Sequence, residues 1–390
     1  MPAVIRPNIF YVGARDWDRR LFDELIPLPD GTTYNAYLIK GSTHTALLDT
    51  VDPPKTKELF ANLDELGVEQ IDYLIAHHAE QDHAGAIPDV LARYPAAKVV
   101  TNAKCRDLLQ EHLLVAPERF IVVEDGGQLA LGDRTLQFVF TPWVHWPETM
   151  CTYLVEDQIL FSCDFFGAHL ATSALFVKDE ARVYQSAKRY YAEIMMPFRA
   201  NVVKNIAKVS AMPIQMIAPS HGPIYRQPDF IINAYREWTN DQVKNLVLIP
   251  YVSMHGSTER MVQYLVKKLI ERHIAVQPYN LTSTDIGELA MDLVDAATVV
   301  LGTPTVILGP HPQAVTATFL LNLLRPKVRW LSVIGSYGWG GKTLEVIKGL
   351  VGNLKVELLE PVYIKGYPKE ADFRELDRLV EQIATKHATI

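Results

Sequence analysis

The sequence predicts two consecutive domains built on different plans, an α+β domain and then an α/β one, and three observations carry that prediction. At about 150 residues per domain, 390 residues are too many for one core. Before residue 245 short β-rich runs and frequent turn signals dominate, whereas after it apolar strands and amphipathic helices alternate strictly. The join, Glu237–Asn245, is short and polar. The expected domains are therefore 1–245 and 246–390.

In the first domain Tyr34–Ile39 and Thr45–Leu48 flank Lys40-Gly41-Ser42 and read as a hairpin. Strand-like runs follow at Tyr73–Ala76, Lys98–Thr101, Phe120–Val123, Thr135–Phe140, Thr152–Val155 and Ile159–Ser162, with helices expected over Lys55–Leu66 and from Ala103. Hairpin-joined strands with interspersed helices predict antiparallel sheets covered by helices, an α+β plan.

The second domain opens with a strand at Leu246–Val252, a helix at Thr258–Arg272 and a strand at Ala275–Tyr279. A helix at Ile286–Leu293, a strand at Thr298–Gly302, a helix at Val315–Leu324 and a strand at Arg329–Gly335 continue the alternation. A helix at Leu344–Gly349, a strand at Val356–Ile364 and a last helix from Lys369 complete it. Such alternation of apolar strands with amphipathic helices predicts a doubly wound parallel sheet of five strands.

Composition narrows the function classes. The chain has 38 Lys+Arg against 45 Asp+Glu, a net charge of −7, which argues against a nucleic-acid-coating protein. No apolar run reaches the ~18 residues of a membrane span, and the N-terminus carries no export-signal pattern, so a cytoplasmic location is expected. Cys105, Cys151 and Cys163 form no Cys-x-x-Cys pair, which disfavours a disulfide framework, a zinc ribbon and a built-in rubredoxin-type or iron–sulfur site.

Directly after the strand Tyr73–Ala76, His78, Glu80, Asp82 and His83 fall within six positions. The spacing does not suit a helical i, i+4 pair; it suits a loop at a strand end, where close ligands can point at two neighbouring metal ions. Three later segments repeat the theme at strand ends: His145 in Pro142-Trp143-Val144-His145-Trp146-Pro147, Asp164 in Ser162-Cys163-Asp164, and His221 in Pro219-Ser220-His221-Gly222. Singly, each reads sooner as structural, His145 as a capped or core histidine, Asp164 as a turn or helix cap and His221 as a turn residue; their order after the first cluster raises them to metal-ligand candidates.

In the second domain Ser253-Met254-His255-Gly256-Ser257-Thr258 opens a helix after the first strand, and its hydroxyls and N–H groups suit a phosphate. No Walker-type lysine is present, which disfavours a nucleoside triphosphate. Two further strand-end loops, Pro304-Thr305-Val306-Ile307 and Ser336-Tyr337-Gly338-Trp339-Gly340-Gly341, lie where open α/β sheets bind ligands. Glycines there let backbone approach a flat ring on which Tyr337 or Trp339 could stack.

As a set, these motifs are highly specific, and the chain resembles the flavodiiron proteins, or A-type flavoproteins. The resemblance also runs through Gly31-Thr32-Thr33-Tyr34-Asn35-Ala36-Tyr37-Leu38, His145-Trp146-Pro147 and Arg189-Tyr190-Tyr191-Ala192, and covers essentially the whole chain. It implies a metallo-β-lactamase-like αββα sandwich followed by a flavodoxin-like domain, with FMN in the second and two iron ions in the first. By the family pattern His78, Glu80 and His145 bind one iron, Asp82, His83 and His221 the other, and Asp164 bridges. Hydrolases of this fold typically carry a histidine where Glu80 stands; a carboxylate there favours iron or manganese over zinc. The implied activity is reduction of O2 to water or NO to N2O, with electrons passing through FMN from rubredoxin or a reduced deazaflavin, in a head-to-tail homodimer or a dimer of dimers. A binuclear hydrolase and an electron carrier with a vestigial metal domain are the alternatives, and Glu80 and the complete ligand set count against them. Two departures stand out. Val306-Ile307-Leu308 replaces an Asn-Asn pair that commonly faces the flavin, and Asp23 replaces a histidine that, with the tyrosine matching Tyr190, lies near the diiron pocket in relatives.

Overall fold

Side-chain alternation decides which face each strand of the first domain buries, and the computed structural model, which describes residues 1–390, shows two layers of core built on it. The chain divides into two units, Met1–Tyr191 with Phe198–Thr239, and Ala192–Pro197 with Asn240–Ile390. The second unit thus begins ahead of the expected 245; Arg329 Nη2 donates to the Asp241 carbonyl at 3.4 Å and ties that segment to it.

In the first unit, strands Ala3–Arg6 (β1), Ile9–Tyr11 (β2), Tyr37–Lys40 (β3), Thr45–Leu48 (β4), Tyr73–Ile75 (β5), Lys98–Thr101 (β6) and Phe120–Val122 (β7) form one seven-stranded sheet in that order. Gln128–Ala130 (β8), Thr135–Phe140 (β9), Met150–Leu154 (β10), Ile159–Cys163 (β11) and Met216–Pro219 (β12) form a second. Ile39, Leu48 and Ile75 of the first sheet share a core with Phe138, Leu154 and Phe161 of the second. Their neighbours Leu38, Leu47 and Leu74 face the other way, onto helices Thr56–Glu65 (α1), Ile87–Arg93 (α3) and Ala103–Leu113 (α4). Strict period-two alternation is what allows both layers to fill.

The expectation of antiparallel sheets needs correction. β4 through β7 run parallel, as do β11 and β12, because helical crossovers return the chain to the same sheet end. The run Tyr34–Ile39 is also not one strand. Thr32–Tyr34 pairs with Ala14–Asp16, and Asn35 then leaves the ladder, its amide donating at 2.8 Å to the carbonyls of Pro219 and Gly222.

In the second unit Lys244–Tyr251 (β13), Ala275–Asn280 (β14), Ala296–Gly302 (β15) and Trp330–Tyr337 (β16) are parallel in the order β14-β13-β15-β16. The expected fifth strand over Val356–Ile364 is broken into Glu357–Leu358 and Val362–Lys365, both on β16. Pro361 has no N–H for the ladder, and the Glu360 carbonyl accepts from Ser332 Oγ at 3.0 Å instead. Helix Ser257–Glu271 (α5) buries Met261, Val262, Leu265 and Leu269, one stripe at helical spacing, beside Leu376, Leu379 and Ile383 of helix Glu370–His387 (α6). No helix is long and apolar enough to cross a membrane.

The last turn of α6 carries a buried histidine as a fastener. His387 Nδ1–H donates to Asn245 Oδ1 at 2.8 Å and Nε2 accepts from Thr298 Oγ1 at 2.7 Å. The bond from Thr298 to Nε2 needs the neutral ring, and burial lowers its pKa to about 4. A histidine depressed on folding stabilises above its unfolded pKa, and that contribution is lost as pH falls from about 6.5 towards 4. Thermal unfolding of the second unit is therefore expected to lose stability across that window in the wild type and less in His387→Gln; equal pH dependence would contradict this.

Candidate metal centre and ligand cleft

Every predicted metal-ligand residue sits just beyond a strand end. β5 ends at Ile75, and the chain runs through His77 and His78 into a single helical turn, Gln81–Ala84 (α2), which carries Asp82 and His83. A loop was expected there. The turn aims His83 inward and is closed by Gly85, where a Cβ would lie 2.4 Å from the Gln81 carbonyl and 2.7 Å from Pro53 Cγ. His145 lies in the segment between β9 and β10, Asp164 follows β11, and His221 follows β12.

All seven side chains converge. Asp164 Oδ2 lies 3.0 Å from His78 Nε2 and 3.2 Å from His145 Nε2, and Glu80 Oε2 lies 2.9 Å from His145 Nε2 and 3.3 Å from His78 Nε2. Asp164 Oδ1 lies 3.1 Å from His83 Nε2 and 3.6 Å from His221 Nε2, and Asp82 Oδ2 lies 3.0 and 3.2 Å from the same two nitrogens. The group thus splits into two triads sharing one carboxylate, an oxygen for each.

The centre is largely buried, with His78, His83, Asp164 and His221 shielded from solvent. Burial opposes charge on these groups, yet Asp82 and Asp164 raise His83 to about 10, and Glu80 and Asp164 raise His145 to about 9. Asp164 is held well below the carboxylate range against its own desolvation, by His78 and His83 above all.

The donor set fits two cations. His83 and His221 bring their Nε2 atoms to 3.0 Å of each other, and Asp82 Oδ1 and Asp164 Oδ1 are buried without a hydrogen-bond partner. Carboxylates and imidazole lone pairs packed this way need positive charge between them.

A layer behind the triads holds them. His77 Nδ1–H and its backbone N–H both donate to buried Asp49, and His77 Nε2 meets Thr152 Oγ1 at 2.8 Å. Ala79 N–H donates to Glu148 Oε1 at 3.1 Å, and Gly222 N–H to Thr33 Oγ1 at 2.7 Å. His221 Nδ1–H donates to the Thr33 carbonyl at 2.6 Å, which leaves its Nε2 lone pair for the site.

Tyr190 is buried with its ring 5.7 Å from that of His221, and burial, then Asp164, keep its phenol protonated. Asp23 reaches solvent from the turn between Leu21–Phe22 and Ile26–Pro27. Partial desolvation, then the charges of Glu80 and Asp82, raise its carboxyl pKa.

Sequence reasoning missed His169. Its Nδ1 lies 2.9 Å from Thr32 Oγ1, its ring 4.6 Å from His221 and 4.8 Å from Tyr190, and its Nε2 is buried without a partner. Burial and His221 keep it neutral. Its position five residues after Asp164 was the available signal.

In the second unit Ser253, Met254, His255, Ser257, Thr258, Pro304, Thr305, Ser336, Tyr337 and Gly338 line one cleft of about 180 Å³, joined by Gly366 from the end of the fifth strand, which was not expected. Gly256, Val306, Ile307, Trp339, Gly340 and Gly341 do not line it. Trp339 is 80% exposed and Ile307 93% exposed; Gly256, at φ 82°, caps α5. Thr305 Oγ1 is already engaged by Thr343 and Tyr363. Ser253 Oγ accepts from Glu259 N–H at 3.1 Å, and Thr258 Oγ1 is buried with no partner. A free hydroxyl at a helix N-terminus fits an anionic group such as the phosphate of FMN.

The fold and the two sites define a class: a metallo-β-lactamase-like unit with a binuclear acidic centre, joined to a flavodoxin-like unit. The family model of the ODP family beta lactamase matches residues 32–222. The nitric oxide reductase of Moorella thermoacetica is 35% identical over 396 residues, 99% of each chain. The coenzyme F420H(2) oxidase of Methanothermobacter marburgensis is 34% identical, covering 94% of this chain and 95% of its own. The solved rubredoxin oxygen:oxidoreductase of Desulfovibrio gigas superposes with a TM-score of 0.96 at 29% identity over 100% of this chain and 99% of its own. The chain belongs to the flavodiiron, or type A flavoprotein, family.

Asp49→Ala would leave the two His77 N–H groups buried and unpaired, an expected loss of about 2–4 kcal/mol. Chemical denaturation of the metal-free protein measures it; an unchanged midpoint would contradict this account of the ligand loop.

Proposed function

We propose that the chain is a reductase that takes four electrons and four protons to convert O2 to two waters, or two electrons and two protons to convert two NO to N2O and water. The observation that carries the reading is Asp164 presenting one oxygen to each triad, in a chain that also builds the cleft ending at Thr258. His78, Glu80 and His145 would hold one iron, Asp82, His83 and His221 the other, with Asp164 between them; Ser253, Ser257 and Thr258 would hold the FMN phosphate. Bound there, two irons supply single electrons and adjacent open positions for a diatomic, and FMN relays electrons from the donor.

The protein's own part is charge and protons. Three carboxylates would offset most of the +4 of two ferrous ions. Tyr190, kept protonated, offers an O–H beside the His221 triad. Asp23, its pKa raised by partial desolvation and then by Glu80 and Asp82, holds a proton at higher pH than an ordinary carboxyl and stands at the solvent side, in place of the histidine of relatives.

A hydrolase would have no use for the second unit, and Glu80 gives the first triad a carboxylate where a nitrogen-rich zinc site would take a histidine. A carrier with a vestigial metal domain would not be expected to keep all seven side chains convergent.

Electrons come from outside the chain, since its three cysteines are free and buried; the relatives' names point to rubredoxin or a reduced deazaflavin as donor. Free cysteines also suit the cytoplasm. We assign a head-to-tail homodimer, or a dimer of such dimers. Each centre draws its residues from its own unit, and Ile307, Leu308 and Trp339 are exposed apolar groups on the strand-end loops that also build the cleft, as a surface meant to be covered would be.

Gas-electrode assays of the iron- and FMN-loaded protein with reduced rubredoxin or reduced deazaflavin test the reading. Catalytic consumption of O2 or NO is expected with at least one donor; none with either gas, in protein holding both cofactors, would overturn it.

A further inference from the structure

We infer that the thiol of Cys163 tunes the iron held by His78, acting as a positioning residue that accepts the distal N–H of that imidazole; this rests on the diiron reading above. Cys163 Sγ lies 3.3 Å from His78 Nδ1, and the next residue, Asp164, places Oδ2 3.0 Å from Nε2 of the same ring. Two consecutive side chains therefore engage the two nitrogens of one histidine.

Consecutive residues of a strand face opposite sides, so this arrangement has to be built. Cys163 adopts φ 56°, and the register of β11 against β12 shifts between Phe161 and Cys163. The twist brings both side chains round to His78. It is anchored by the Cys163 carbonyl, which accepts the Ser220 N–H at 2.8 Å, one residue before His221.

With Nε2 given to a metal, neutral His78 carries its proton on Nδ1, so the nitrogen donates and the sulfur accepts. Metal-bound histidines usually donate to a carboxylate, carbonyl or water, and a strong acceptor makes the imidazole a more electron-rich ligand. A thiol sulfur is a weak acceptor. Donor types cannot distinguish the two triads, since each supplies two imidazoles, one terminal carboxylate and one oxygen of Asp164. Their distal partners do: His221 donates to a carbonyl at 2.6 Å, His83 Nδ1 has no partner, and His78 has a sulfur. The sulfur leaves His78 a poorer donor than an oxygen acceptor would and a better one than no acceptor at all, so its iron is more easily reduced than with an oxygen there and less easily than with nothing there.

Cys163→Ser keeps the shape and strengthens the acceptor, whereas Cys163→Ala removes it. Iron analysis and redox titration of the loaded proteins, followed by electron paramagnetic resonance, are the readouts. Two irons per chain are expected throughout, with one of the two one-electron steps moved to lower potential in Cys163→Ser, the same step moved upward in Cys163→Ala, and the other step little changed. Steps that stay put in both variants, or that shift together by equal amounts, would overturn the inference alone. A wild-type protein that takes up no iron would overturn it together with the proposed function.

Discussion

A single buried carboxylate with its two oxygens turned to different neighbours is the constraint around which the first unit is arranged. Asp164 faces four imidazole nitrogens within 3.6 Å. An ionised carboxylate in so dry a place is tolerable only with compensating positive charge in contact with it. Without metal, protons on the imidazoles supply that charge, which is why His83 and His145 bind them so tightly. With metal, the same nitrogens become ligands and release those protons. The centre is thus held together by charge on whichever cation is present.

Holding Asp164 there needs loops that do not yield. β11 ends in a left-handed Cys163 and β12 in Pro219, and the backbone between these ends is stitched by Ser220 N–H to the Cys163 carbonyl and Ala168 N–H to the His221 carbonyl. Across the sandwich, Asn35 grips both sides of the His221 turn, and Asp49 fixes the backbone of the residue before His78. The ligand segments follow strands whose residues are locked in one of two cores. Rigidity therefore comes from the sheets and precision from buried polar contacts behind the ligands.

Much of this was legible in the residues. The seven convergent side chains are the ones the four strand-end motifs proposed, because ligand chemistry restricts residue type and strand ends announce themselves by turn residues. The parallel order of the second unit follows from its alternation of strands and helices. The contacts behind the site were not legible, since Asp49 with His77, Thr32 with His169 and Cys163 with His78 join distant segments through ordinary residues. The antiparallel expectation failed because short strands of a mixed sheet look the same whichever way they run. The broken fifth strand had a signal, Pro361, set in an apolar run long enough to hide it. Trp339 and Ile307, placed at the ligand by position in their loops, are exposed side chains.

The central claim is that Asp164 bridges two metal ions, and replacing it by asparagine tests that most directly, because an amide offers one good ligand oxygen and no charge. Iron analysis with Mössbauer spectroscopy of the wild type should give about two magnetically coupled irons per chain, and Asp164→Asn should retain at most one, uncoupled. A folded Asp164→Asn protein that keeps two coupled irons would contradict the account.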